Sequence, residues 1–386
     1  MTTVLLPAPT SQALYDAMIA SHPGDIIECP SGEYGIFAPP LGIRHAEPYV
    51  TIRPAPEARP VFENFNLWGG VGGYIVEGLE CAMAPTTQFG FNMDGGSVDI
   101  WIRRCIAHQR DNKTLAGVGI YVRDSLNITL EENKVSFVGD GMSGVDNTNL
   151  AVVANELHHI QSNAIFFTGT KGGRIALNRG TLFFNLGGTH PDFIQQARSY
   201  ATGEVCEDMV IEDNFYERGE GEPVQGIFDE DSINNVIRRN AILGGLYNGI
   251  ATARSQHMRY EENFIQPYVG QGSSLGVRQE ADDIQIINNA AYVWVGASGE
   301  PQPTNVTQEG NYTVPDASGP GDYTEYDKWR ASLAPPDPEP PEPVDPCWKV
   351  KLHNRALKHQ LRIANARIAA AQLVLGGGPH VAHHLR

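Results

Sequence analysis

The sequence predicts an all-β chain: a right-handed, single-stranded parallel β-helix of about ten coils, with an N-terminal capping helix and a C-terminal α-helix on a Pro-rich spacer. Three observations carry that prediction. A short phrase of alternating apolar residues, ending in Asn at a fixed offset, recurs along the chain. A second alternating phrase precedes it by about eight residues. Between the two lies no segment long enough for a helix, so each repeat is built from short strands.

Taken in order, residues 1–22 supply an N-terminal strand and a capping helix. Ser11 to Ser21 places Leu14, Ala17 and Met18 on one face, as an amphipathic helix would. Residues 23–297 form the β-helix. Gly24-Asp25-Ile26-Ile27 starts its first strand and Gly32-Glu33-Tyr34 follows. The Asn phrase occupies 128–133, 150–155, 209–214, 258–263 and 284–289. Weaker copies end at Cys105, Gly180 and Asn240, and fainter ones sit at Val50-Thr51-Ile52 and Tyr74-Ile75-Val76. From Cys105 onward the steps are 28, 22, 25, 34, 26, 23 and 26 residues. Asn at that point suits a tight bend, because it tolerates left-handed backbone geometry. The second phrase includes Gly119-Ile120-Tyr121-Val122, Ala164-Ile165-Phe166-Phe167, Phe193-Ile194-Gln195-Gln196, Gly226-Ile227-Phe228-Asp229 and Gly249-Ile250-Ala251-Thr252. Strands this short gain a core only by stacking coil on coil. A β-sandwich would show hairpin signals, and the one Asn-Gly, Asn248-Gly249, falls at a repeat boundary.

Residues 298–334 read as a loop-rich closing segment, with a brief helix from Thr324 to Leu333 that takes Thr324 as its N-cap. Residues 335–346 hold seven prolines in twelve positions, a stiff extended linker. Residues 347–386 are a basic assembly helix and tail. Within it Val350, Asn354, Leu357, Leu361, Ala364, Ile368, Ala371 and Leu375 fall on a coiled-coil seam. A second apolar seam runs through Leu352, Ala356, Ile363, Ala366, Ala370 and Leu373, so Leu357, Leu361, Ile363, Ile368 and Leu373 are the expected assembly residues.

Charge separates the two parts. The chain has 28 Lys/Arg and 45 Asp/Glu, a net of −17. Residues 347–386 carry seven cations and no Asp or Glu, which leaves residues 1–346 at 21 − 45 = −24. An acidic body repels nucleic acid. No run of 18 apolar residues occurs, so membrane insertion is not expected. The start of the chain shows neither a basic n-region nor a long apolar h-region, so no secretory signal is expected. Five scattered cysteines without a CxxC pair read as thiols of a protein made in a reducing cytosol, not as a zinc site.

The capping helix with Ala13-Leu14, then Pro23-Gly24-Asp25-Ile26, then Gly32-Glu33-Tyr34, then Asn-punctuated coils, resembles the pectate-lyase-like β-helix superfamily over roughly residues 10–295. That superfamily includes polysaccharide lyases, glycoside hydrolases and bacteriophage tailspikes. The resemblance implies a substrate groove along one sheet and the turns beside it. It covers structural positions, so it speaks to fold more than to activity.

If Ile120, Ile165, Ile194, Ile227 and Ile250 face inward, alternation puts Tyr121, Ser143, Phe166, Gln195, Phe228 and Ala251 in one outward column. Arg123, Val145, Thr168, Ala197, Glu230 and Ala253 form the next. This mixed aromatic and polar surface makes Tyr121, Arg123, Phe166, Gln195, Phe228 and Arg254 the expected glycan-binding residues. Asp140, Asn163, Asp192, Gln225 and Asn248 share a position just before the strand. They read either as a polar ladder satisfying turn backbone or as a source of paired carboxylates. The longest repeat contains His190-Pro191-Asp192, a candidate base and its orienter. Glycoside hydrolysis needs two carboxylates roughly 5–10 Å apart. His190, Asp192 and Glu230 are therefore the catalytic candidates, with Asp229 or Asp231 as other partners for Asp192. The Gly-His-Gly and Arg-Ile-Lys signatures of polygalacturonases are absent. Lys171, Arg254 and Arg278 do not share a column, so the Lys–Arg pair of the related lyases does not carry over. No resident cofactor is expected; a Ca²⁺ site at Asp229-Glu230-Asp231 is the one metal candidate, and its oxygen spacing is sparse.

Three functions fit these features. The first is a phage virion component, of tailspike or tail-fibre type, that shows a host-surface polysaccharide its β-helix. It would bind other virion proteins through the basic helix and oligomerise, a trimer being favoured. The second is a polysaccharide lyase or glycoside hydrolase acting on an exopolysaccharide, free, virion-mounted, or secreted without a recognisable signal peptide. The third is a structural virion decoration protein with no ligand.

Overall fold

A computed structural model of the chain describes residues 1–111, 115–184 and 191–333. The expected C-terminal helix, with Leu357, Leu361, Ile363, Ile368 and Leu373, lies outside the described residues, as do the linker and His190.

The described chain winds as the parallel β-helix the repeat predicts. One sheet takes a strand from every coil, from Thr3–Leu5 and Ile26–Cys29 through Leu126–Glu131 and Thr148–Val153 to Asp282–Ile287 and Thr304–Glu309. Each strand pairs in parallel with its equivalent one coil on: Ile128 opposite Leu150, Leu150 opposite Gly173, Gly173 opposite Met209. Thirteen strands make twelve steps, so the coils number about twelve and not about ten. The additions come from the ends, where pattern is weakest. Thr3–Leu5 precedes the capping helix, and Thr304–Glu309 lies in the segment read as loop. The first is the N-terminal strand expected before the capping helix; the second has Val306 as its one apolar residue, so alternation could not reveal it.

Inward residues build the core. Ile128, Leu130, Leu150, Val152, Met209 and Ile211 are all buried, as are Ile120, Ile165, Ile194, Ile227 and Ile250 of the second phrase. Where the chain bends into that second sheet, neighbouring coils touch backbone to backbone. A Cβ on Gly226 would lie 1.9 Å from the Gly249 carbonyl oxygen, so only glycine fits there.

The Asn positions do different work from the one expected. The residue before each Asn takes the left-handed conformation: Glu132, Ala154, Leu177, Asp213, Arg239 and Glu262, at φ of 49–59°. The Asn itself is buried and hydrogen-bonds its equivalent in the next coil. Asn133 donates to Asn155 (3.0 Å), Asn155 to Asn178 (2.9 Å), Asn178 to Asn214 (2.9 Å), and so on to Asn311. The weak copy assigned to Gly180 is corrected here, because the ladder residue of that coil is Asn178.

Helix α1 (Ser11–Ala20) is capped by Thr10, whose hydroxyl accepts from the Ala13 amide at 3.2 Å, and buries Leu14 and Met18 on the first coil. Helix α2 (Thr324–Ser332) begins after Tyr323, so Thr324 is not its N-cap. The Asp322 carboxylate accepts from the Thr324 amide at 3.3 Å instead. Trp329 and Tyr326 of α2 pack on Phe264, outside the main core. Cys29, Cys81, Cys105 and Cys206 are unpaired and buried. Burial pushes the thiols of Cys29, Cys105 and Cys206 up to about 12, so they are unreactive core residues. Among the described residues no helix is long and apolar enough to cross a membrane.

Candidate active site

Strand pairing places the outward column where alternation put it. Tyr121 lies opposite Ser143, Ser143 opposite Phe166, Phe166 opposite Gln195, Gln195 opposite Phe228, and Phe228 opposite Ala251. In the next column Arg123 lies opposite Val145 and Glu230 opposite Ala253. Tyr121 stacks on Phe89 with ring centroids 4.5 Å apart. Arg123 is engaged by the Asp94 carboxylate at 2.9 and 2.6 Å. Gln195 accepts from the Asn163 side chain at 3.0 Å. Arg254 sits one residue past its strand, in a left-handed turn position at φ 55°, where its side chain binds Glu230, Asp231 and Gln279.

The position before the strand is a polar ladder in part. The Asn163 amide donates to Asp140 (3.1 Å), the Asp192 amide to Asn163 (2.9 Å) and the Asn248 side chain to Gln225 (2.6 Å). Asp192 breaks the pattern. Its side chain is 1% exposed and neither carboxyl oxygen has a hydrogen-bond partner among the described residues. Burial, and then the nearby Glu230 charge, hold its pKa well above the usual carboxylate range. A buried carboxylate without donors is costly, so the protonated form is favoured. Glu230 is only partly buried and is held by the Arg254 guanidinium. The two carboxyl groups thus have opposite surroundings, one dry and unpaired, the other beside a cation.

The run Asp229–Asp231 does not form the calcium site considered from sequence. Asp229 faces the core and is fully buried, whereas Glu230 and Asp231 turn outward onto Arg254. Among the described residues no group of three His, Cys, Asp or Glu could hold a metal ion.

Sequence reasoning missed two features. Inside the coils Gln196, Asp229, Asn235 and Thr252 form a polar cluster, hidden because inward positions were expected to be apolar. Outside, the rings of Phe137, His159 and Phe184 stack across three coils at 4.5 and 5.0 Å. Burial lowers the pKa of both His158 and His159, favouring neutral imidazoles. Phe137 and His159 take left-handed backbone at φ 54° and 56°, which no alternation rule would place on the surface.

A family model described as NosD, periplasmic copper-binding protein, matches residues 104–292. The matched span covers the central coils. No curated protein matches the chain in sequence. Among solved structures it resembles the GH136 lacto-N-biosidase of Eubacterium ramulus (TM-score 0.56, 10% identity), over 79% of this chain and 64% of that one. The chain therefore spans about two thirds of that enzyme's length. A mannuronic acid specific family 6 polysaccharide lyase from human gut microbiota gives 0.46 at 15% identity, over 81% and 82% of the two chains. PfbA, a surface adhesin of Streptococcus pneumoniae, gives 0.39 at 12%, over 80% and 89%. The described chain has a right-handed parallel β-helix fold, and in that fold it resembles the pectate-lyase-like superfamily.

Proposed function

We propose that this chain cleaves a polysaccharide, with Asp192 as general acid and Glu230 as the second carboxylate. The observation that carries this reading is the Asp192 carboxyl: buried, without a hydrogen-bond partner among the described residues, and favoured in its protonated form by burial and by the charge of Glu230. Pairs of carboxyl groups whose environments push them apart are how acid and base roles are divided in sugar hydrolysis. Asp192 gives its proton to the leaving glycosidic oxygen as the anomeric C–O bond breaks. Glu230, its charge balanced by Arg254, either takes a proton from the water that attacks the anomeric carbon or bonds that carbon directly. Delivery from a buried acid proceeds directly after a rotamer change or through one bridging water, both within the reach of general-acid catalysis. Tyr121, Phe166, Gln195 and Phe228 then offer ring faces and an amide along the groove. The fold likeness to a solved lacto-N-biosidase suits the glycan class, and without a Lys–Arg pair in one column hydrolysis is the chemistry this face supports.

The test is turnover by Asp192→Asn and Glu230→Gln on a polysaccharide panel, read as new reducing ends and, separately, as unsaturated lyase products. Both substitutions should keep the fold and lower turnover by about 100-fold or more. The wild-type rate should fall as pH rises through the raised Asp192 pKa. Unchanged turnover in both variants would remove this pair from consideration. Display of the same groove on a phage particle, through residues 347–386, is a reading that rests on the sequence features alone.

A further inference from the structure

We infer that the chain holds a second carbohydrate site, a pocket for one ring of an uncharged glycan, walled by Tyr247, Tyr292 and Trp294. This extends the polysaccharide reading to a new place and a charge class, and it does not depend on Asp192.

The pocket opens near the C-terminal end of the coils and has a volume of about 350 Å³. Small-molecule sites run roughly 300–1,000 Å³ and combine apolar walls with a few converging polar groups. Tyr247 and Tyr292 are 52% and 59% exposed, so their rings face solvent beside the opening. Trp294 is fixed edge-on: its indole NH donates to Ser274 Oγ at 2.8 Å, and that hydroxyl donates to the Tyr247 carbonyl at 2.8 Å. Its ring lies against Gly276, where a Cβ would sit 2.6 Å from Trp294 Cζ2. A glycine at 276 thus makes room for the tryptophan, and a larger residue would expel it.

The polar groups point to a ligand. Ser273 lines the pocket, is 7% exposed, and its Oγ has no hydrogen-bond partner among the described residues; the buried Oε1 of Gln271, also in the lining, has none among them either. Buried polar atoms are nearly always paired, so a donor and acceptor left open in an aromatic pocket await a partner that brings hydroxyls. A pyranose ring does so, with C–H faces for the aromatic rings and hydroxyls for Ser273 and Gln271. Charge decides the class. Among the described residues Asp316 lines the pocket and no Lys, Arg or His does; Arg278, whose guanidinium lies 5.9 Å from the Trp294 ring centre, is paired with Glu300 at 2.9 Å. Residues 1–346 carry a net of −24. A uronate polymer would be repelled, and a neutral or acetamido sugar would not.

Position links the pocket to the groove. Phe228 lies opposite Ala251, Ala251 opposite Gly276, and Gly276 opposite Trp294, so Trp294 ends the same outward column that holds Tyr121 and Phe166. Three coil steps of about 4.8 Å separate it from Phe228. Ala251 and Gly276 between them are buried, so the pocket stands as a separate site beyond the exposed rings of the groove.

The experiment is calorimetric titration of the full chain with laminarihexaose, cellohexaose, lacto-N-tetraose and oligomannuronate. At least one of the three neutral probes should bind, and more tightly than oligomannuronate. Tyr247→Ala with Tyr292→Ala removes two exposed rings and spares the core, and should weaken that binding by about tenfold or more. Trp294→Ala should do the same. Binding of no neutral probe, tighter binding of oligomannuronate, or unchanged affinity in the folded double variant would overturn the inference. A chain that binds through this pocket but releases no product from any glycan would keep the inference and sink the enzymatic reading.

Discussion

Asp229 shows how one inward residue sets a pH response. It shares an inward register with Phe167, Gln196, Thr252 and Val277 on successive coils. The Asn235 side-chain amide donates to Gln196 Oε1 (2.9 Å) and to Asp229 Oδ2 (3.1 Å), while Asp229 Oδ1 has no partner among the described residues. Burial raises the carboxyl from 3.8 to about 6, against smaller lowering by hydrogen bonds from Ser232 and Asn235. Below pH ~4 both folded and unfolded states hold the proton, and Asp229 costs nothing extra. Between pH ~4 and ~6 the unfolded chain releases its proton first, so stability falls as pH rises. Above ~6 the loss levels at about 3 kcal/mol, from roughly two pKa units at 1.36 kcal/mol each. Asp192, raised in the same direction, adds a loss of the same sign. Urea unfolding at pH 4 and pH 7 should therefore show a smaller pH difference for Asp229→Asn than for wild type. An equal difference would mean that the interior cluster stays hydrated in the folded state.

At the scale of one element, the Asn ladder turns a row of bends into a continuous hydrogen-bonded spine. The Asn178 side chain makes four hydrogen bonds. Its side-chain amide donates to the Val152 carbonyl (2.8 Å) and to Asn214 (2.9 Å). Its oxygen accepts from the Asn155 backbone (3.0 Å) and side chain (2.9 Å). Asn178→Ala orphans buried groups on both neighbouring coils and should cost on the order of 3 kcal/mol, read as a lower melting temperature by calorimetry. A melt indistinguishable from wild type would show that water replaces the amide there. Asn178 is also where the sequence misleads. The slot two residues before Ile175 is Gly173, which faces inward between Leu150 and Met209, so the apolar phrase lacks its first member. The true spacings on either side are 23 and 36 residues. The long coil is thus longer than the apparent 34-residue repeat, and it is the one that leads into Asp192.

For the whole molecule, charge and composition divide the chain where the described residues end. The unit Met1–Leu333 has its own core, its coils begun by α1 and flanked by α2 through Trp329. Residues 347–386 hold all-positive charge and two apolar seams. Truncation after Pro346 should leave the β-helix melt unchanged. It should abolish self-association, measured as mass by light scattering, or incorporation into a particle. An unchanged mass together with unchanged incorporation would refute the assembly role of Leu357, Leu361, Ile363, Ile368 and Leu373. Much of the candidate groove was legible at this scale, because Tyr121, Phe166, Gln195 and Phe228 each follow an inward isoleucine and a parallel register keeps equivalents aligned.

The sequence by itself determined the coil, its parallel stacking and the two faces of each strand, since a short strand repeated every 22 to 34 residues buries its apolar side only against its own copies. Tertiary structure alone decided which polar groups were left without partners. Asp192 and Asn163 share one column position, yet Asn163 is satisfied by Asp192 and Gln195 while the Asp192 carboxyl has no partner among the described residues. Asp229 and Glu230 are adjacent, yet one enters the core and the other meets Arg254. Tyr247, Tyr292 and Trp294 lie up to 47 residues apart and meet only because successive coils bring them to one wall. Desolvation and pairing depend on neighbours from other coils, and no spacing along the chain records them.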